Sequence, residues 1–254
     1  MSINKKVSLL NVKIDALTLE ETLNLIEEAI ENNKHIHHVV VNVAKLVYMQ
    51  KDRELYESVT RADIINADGM GVIWASKFLG KPLPERVTGI DLMQKLIERA
   101  YKKGYKIFFF GAKEEVVKKV VEKYSKLYSP AIVAGYRNGY YSEDEEEKIA
   151  KEIAKSGANI LFVGISSPKK ERFLYKYRDI LKNVNFIMGV GGSFDVIAGK
   201  VKRAPKWMQK FGLEWFYRLI QEPRRMWKRY LYTNTLFVWY ILKEKLLQKK
   251  LDSK

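Results

Sequence analysis

The chain alternates between two hydrophobic patterns for most of its length. Short runs rich in β-branched and aromatic residues read as buried strands: His37–Val43, Asp63–Ala67, Lys106–Phe110, Ala131–Ala134, Asn159–Gly164 and Asn185–Gly189. Val7–Ile14 alternates loosely and reads as a further strand. Between the runs, apolar residues recur at helical spacing. Leu23, Ile26 and Ile30 follow a Thr18–Glu21 capping box, and Leu46–Ser58, Asp91–Lys103, Glu114–Leu127, Ser142–Ser156 and Pro168–Tyr177 follow in turn. Gly104 closes one of these helices, and the acidic first turn of Ser142–Ser156 suits its dipole. This order predicts an α/β fold over residues 1–199: a Rossmann-like core, mainly parallel sheet with helices on both faces. Ligands in such sheets lie at the carboxyl ends of the strands, where the glycine turns after Phe110, Val163 and Met188 fall. Past residue 200 the strand pattern stops. Trp207–Ile220 and Arg224–Leu247 read as helices parted by Pro223, so residues 200–254 form a basic helical C-terminal appendage.

Composition narrows the chemistry. The 254 residues are 47% apolar, enough for a sizeable core, and contain no cysteine. Disulfides, thiolate nucleophiles and thiolate metal sites are thereby excluded. No apolar run approaches the roughly 20 residues of a membrane span, and the opening MSINKKVSLL lacks the apolar stretch of a secretory signal. A cytoplasmic location is expected. The net charge is +16, and residues 200–254 hold 15 Lys/Arg against 4 Asp/Glu, or +11, together with four of the five tryptophans. Basic and aromatic residues together suit an anionic membrane surface. Nucleic acid is the other anionic partner, but no motif that reads it is present.

Four segments are candidates for chemistry. Ala67-Asp68-Gly69-Met70-Gly71 puts a carboxylate at a strand end, as a general base or as an Asx turn. Gly189-Val190-Gly191-Gly192-Ser193-Phe194-Asp195 suits a loop that cradles a diphosphate, or a plain tight turn; Phe194 breaks the dinucleotide fingerprint. His35, His37 and His38 are the only histidines, and a strand splays neighbours to opposite faces, against a metal site. There is no D-x-D motif either. Arg218, Arg225 and Lys228 are spaced to share one helical face if the break at Pro223 is mild, as a clamp for phosphates or as a solvated basic face.

Taken in order, these segments resemble the WecG/TagA/CpsF family of bacterial glycosyltransferases. The resemblance runs from about Val7 to Tyr230 and is most specific over Gly189–Asp195 and Ala198–Pro205. Leu213–Arg218, Gln221–Arg225, Arg86–Asp91, Leu161–Gly164 and Pro168–Glu171 extend it. It implies transfer of N-acetylmannosamine or a relative, such as its uronic acid, from UDP to undecaprenyl-diphosphate-linked N-acetylglucosamine. The product would prime wall teichoic acid or another surface polysaccharide at the inner face of the membrane. It implies no metal and no cofactor. By position, Asp68 matches the catalytic base, and Asn42 flanks the same pocket. Gly69 lies beside the base, Arg86 near the donor, and Lys170 and Glu171 in the donor region. Gly189, Gly191, Gly192 and Asp195 match the UDP side, and Arg218, Arg225 and Lys228 the tail positions that hold diphosphates. Three positions depart from the family: Val40 stands for Thr, Lys170 for Gln and Lys228 for Arg. These substitutions motivate an alternative, a nucleotide-sugar or membrane-surface binding protein without catalysis or with an altered donor. Self-association away from the membrane is left open.

Overall fold

The structure is a computed structural model that describes residues 5–252. The chain opens with a hairpin, β1 (Lys6–Leu9) and β2 (Val12–Asp15), followed by α1 (Leu19–Glu31). Then come β3 (Ile36–Val41), α2 (Val43–Met49), α3 (Arg53–Thr60), β4 (Ile64–Ala67), α4 (Met70–Phe78) and α5 (Gly89–Lys103). The middle of the chain holds β5 (Ile107–Gly111), α6 (Glu114–Leu127), β6 (Val133–Arg137), α7 (Glu146–Lys155), β7 (Ile160–Gly164), α8 (Lys169–Lys176), α9 (Arg178–Leu181) and β8 (Phe186–Gly189). Four helices finish it: α10 (Ser193–Ile197), α11 (Lys206–Lys210), α12 (Glu214–Gln221) and α13 (Pro223–Asp252).

The sheet has six strands in the order β4-β3-β8-β7-β5-β6, every neighbouring pair parallel. The expected α/β architecture is therefore present. Helices α1, α5, α6 and α10 cover one face around Phe109, Phe162 and Met188. The other face is covered by the hairpin with α2, α3, α4 and α13, and by α7, α8 and α9. Buried on both sides, β5 and β7 are continuous apolar runs without alternation. Local signals match the helix ends: Thr18 and Glu21 form the reciprocal capping box, Thr88 caps α5, and Gly104 ends it in the left-handed region at φ 74°.

Some expectations are corrected. Val7–Ile14 is a hairpin turned at Leu10 and Asn11, both at positive φ, with no glycine to announce it. Leu46–Ser58 is two helices, because the Asp52 side chain accepts from the Leu55 amide and starts a new one. Trp207–Ile220 is likewise broken, at Gly212. The last helix begins at Pro223, where a ring without an N–H costs nothing. Glu222 interrupts α12 from α13, so Arg218 does not share a helix with Arg225 and Lys228. Helix α13 is docked: Phe237 and Ile241 enter the core beside Val7 and Leu46, and Glu244 accepts from the Leu10 amide at 2.9 Å. No helix among the described residues is long and apolar enough to cross a membrane.

Candidate active site

Strands β3, β4 and β8 end side by side at the point where the sheet order reverses, the usual ligand crevice of such sheets. Asp68 follows β4, held by its amide bond to the Val41 carbonyl at 2.8 Å. Gly69 comes next at φ 105°, a conformation a side chain would strain, and turns the chain sharply into α4. The Val87 amide bonds the Ala67 carbonyl at 2.9 Å, which brings Arg86 to the same strand end. Burial pushes the Asp68 carboxyl up to about 6; the Arg86 charge opposes this and Glu214 adds to it. A carboxylate with that proton affinity is half ionised near pH 6, mostly ionised at neutrality, and can accept a proton.

An ion-pair network frames Asp68. Arg86 pairs with Glu214 of α12, and Arg203 grips Asp91 through two bonds of 2.7 Å while reaching Glu214 at 3.8 Å. Burial alone would raise the Asp91 carboxyl, but the bonds from Arg203 and Thr88 outweigh it and hold it below the usual range. The turn between α11 and α12 rests on α4, where a Cβ at Gly212 would stand 2.6 Å from Met70 and 3.2 Å from Trp74. The C-terminal segment thus reaches the Asp68 strand end through both salt bridges and packing.

The glycine loop after β8 forms the opposite wall. The aliphatic stem of Lys170 crosses Gly189 so closely that an added Cβ would lie 2.6 Å from its Cε. At Gly192 an added Cβ would lie 2.9 Å from Arg218 Nη2, so the guanidinium covers the loop. Gly191 sits between them at φ 51°. No carboxylate among the described residues pairs with Arg218, which leaves this cation available to an anion. Asp195 lies 4.0 Å from Lys200, beside the loop. Behind it, the Glu171 Oε1 takes both Lys170 and Lys45 at 2.8 Å.

The structure brings together Asp68, Gly69, Arg86, Lys170, Glu171, the loop glycines, Asp195 and Arg218. Asn42 is there too, with its side chain capping α2 through the Lys45 amide at 3.0 Å. Arg225 is exposed and pairs with Glu222, and Lys228 is exposed with its ammonium 5.5 Å from the Trp227 ring. Arg229, which the sequence did not single out, is exposed as well, but its charge acts on Lys170 and on the Tyr230 hydroxyl. The histidines are dispersed: His35 meets the Val184 carbonyl at 2.6 Å, His38 meets Asn66 at 2.8 Å, and burial keeps His37 neutral. One Val40 methyl faces Gly89 at the start of α5, 3.9 Å from where a Cβ would stand. The residues that sequence reasoning missed are Lys45, Asp91, Arg203, Glu214 and Arg229. Asp91, Arg203 and Glu214 fall inside the resembling segments, the one signal that pointed to them.

Residues 7–251 match the model of the family described as Glycosyl transferase WecG/TagA/CpsF family. The chain belongs to that glycosyltransferase family. Two relatives carry the name N-acetylglucosaminyldiphosphoundecaprenol N-acetyl-beta-D-mannosaminyltransferase. That of Bacillus subtilis strain 168 is 41% identical over 181 residues, covering 71% of this chain and 69% of the relative. That of Bacillus spizizenii is 41% identical over 184 residues, covering 72% and 69%. For this glycosyltransferase, the match extends through α13, so the basic C-terminal segment is part of the family pattern and not an unrelated extension.

Proposed function

We propose that this protein transfers N-acetylmannosamine, or a closely related amino sugar, from UDP to undecaprenyl-diphosphate-linked N-acetylglucosamine. The step would serve wall teichoic acid or another surface polysaccharide at the inner membrane face. Asp68 takes the proton of the acceptor hydroxyl as that oxygen bonds to the anomeric carbon. The bond from that carbon to the phosphate oxygen breaks, and UDP leaves with the electron pair. Arg218 over the glycine loop meets the growing diphosphate charge. One arrangement supports the reading: Asp68 after β4 and the glycine loop after β8, with Arg218 over Gly192, follow strands that both pair with β3. The named relatives support the choice of sugar and acceptor.

The acceptor's lipid keeps its sugar near the headgroups, so the protein must reach the membrane surface. Exposed Trp207, Phe211, Trp215, Phe216 and Trp227 on the C-terminal segment, with Trp74 and Phe78 of α4, give it an apolar boundary. The surrounding lysines and arginines add about 1 kcal/mol each at an anionic leaflet. A donor screen with several UDP-sugars, one synthetic lipid-diphosphate acceptor and UDP release as readout tests the reading. Acceptor-dependent release with UDP-N-acetylmannosamine or its relatives supports it; no acceptor-dependent release with any donor rejects it.

A further inference from the structure

The buried cluster behind the glycine loop does not balance its charge. Lys45 and Lys170 both reach the same Glu171 Oε1 at 2.8 Å, and the three side chains are 8%, 9% and 3% exposed. A buried carboxylate needs one cation; a second cation is desolvated without a partner of its own. Both lysines repel each other, and burial with that repulsion brings the Lys170 ammonium down to about 8, still protonated at neutral pH. Glu171 is held far below the usual carboxylate range, because Lys45 and Lys170 outweigh its burial. Around the cluster, Arg229 of α13 acts on Lys170 as a further cation, His37 of β3, which faces Glu171 and Lys45, is neutral, and the Asp68 carboxylate feels Lys45 but forms an ion pair with neither lysine.

The position of the surplus gives it a use. Lys170 lies across Gly189, the first residue of the loop whose Gly192 lies under Arg218. Lys45 follows the Asn42 cap at the end of β3, and its charge is felt at Asp68. The cluster therefore stands between the base and the loop, where the proposed reaction puts the donor. We propose that Lys45, Glu171 and Lys170 form an anion-binding element of the donor site, in which Glu171 neutralises one lysine and the other meets an anionic oxygen of the donor beside Gly189. That oxygen belongs to the diphosphate or to a carboxylate on the sugar. Lys45 and Lys170 are then specificity-determining residues. The inference rests on the UDP-sugar reading above.

A structural cluster and a binding cluster respond differently to loss of one lysine. Either Lys170→Gln or Lys45→Gln leaves a neutral lysine–glutamate pair, so neither should lower the melting temperature, while ligand affinity falls. Calorimetric titration of the full chain at pH 7 with UMP, UDP, UDP-N-acetylmannosamine and its uronic-acid counterpart, beside thermal unfolding, reads both. Loss of a charge-assisted bond should weaken the affected ligand about tenfold. If UDP weakens in Lys170→Gln and UMP does not, the anion is the diphosphate. If only the uronic-acid donor weakens, it is the carboxylate. Lys170→Arg should retain most of the affinity in either case. Wild-type affinities for all four ligands in both glutamine variants overturn the inference, as does an equal loss for all four, UMP included, with a lowered melting temperature. Failure of the wild-type chain to bind any uridine ligand instead overturns the donor reading itself.

Discussion

Strands β5 and β7 bury every residue they contain, whereas α12 buries none. The two regions are held by different physics. The sheet is fixed by apolar burial, at about 1.5–3 kcal/mol for each large side chain. The C-terminal segment is fixed at points: Glu214 on Arg86, Gly212 on Met70, Phe237 and Ile241 in the core, and Glu244 on the hairpin. Trp207, Phe211, Trp215, Phe216, Trp227, Tyr232 and Trp239 are exposed. The core thus holds the proposed base and the glycine loop in fixed register, and the segment brings Arg218 over that loop. That division suits an enzyme that must admit a lipid-borne acceptor and then enclose the charges.

The largest test of this division falls on the core. Asp68→Asn should cut transfer by about two to four orders of magnitude, the range for loss of a general base, with UDP binding nearly unchanged. Because the folded carboxyl is raised to about 6 from an unfolded value near 3.8, ionisation costs stability that is lost as pH rises from about 4 through 6. The same variant should therefore unfold about 1–2 kcal/mol later than wild type at pH 7.5, a gain that disappears below about pH 4. A variant both inactive and less stable at pH 7.5 would break the assignment.

Within the segment, Phe237→Ala should cost about 3 kcal/mol in denaturant unfolding, because its ring is part of the core. Trp239→Ala, 54% exposed, should change stability by less than about 0.5 kcal/mol and lower binding to anionic vesicles instead. Equal stability losses would erase the distinction between docked and outward residues. Arg218→Ala should weaken UDP binding about tenfold, read by calorimetry. Arg225→Glu should lower transfer more than vesicle flotation, since many other basic residues share the surface contact. The smallest effect is expected from EDTA, which should leave UDP release unchanged because the diphosphate charge is met by arginine and lysine.

Much of the core was legible because its signals are local. The aromatic run of β5 and the apolar spacing of α6 need no distant partner to be read. Helix α4 was not legible: it follows Gly69, contains Gly71, and leaves Trp74 and Phe78 exposed, so its pattern is not that of an amphipathic helix. The break between α2 and α3 was hidden because apolar spacing continues across it from Leu46 and Val47 to Leu55 and Val59. In the site, Asp68 and the glycine loop showed themselves as motifs with special backbone needs. Lys45 could not, since a lysine on a short helix looks like a solvated one until the fold brings Glu171 to it. Glu214 and Arg203 were hidden for the same reason: each derives its meaning from a partner on another element.

In the proposed reaction Asp68 acts as the base beside Glu214, a carboxylate borne by the C-terminal segment. The most direct measurement is the pH dependence of kcat/KM for transfer, in wild type and in Asp68→Asn. Activity of the wild-type enzyme should rise with pH through about 6 and then level, as the carboxyl loses its proton. The residual activity of the variant should lack that rise. The same rise through about 6 in Asp68→Asn, at comparable rates, would contradict the account.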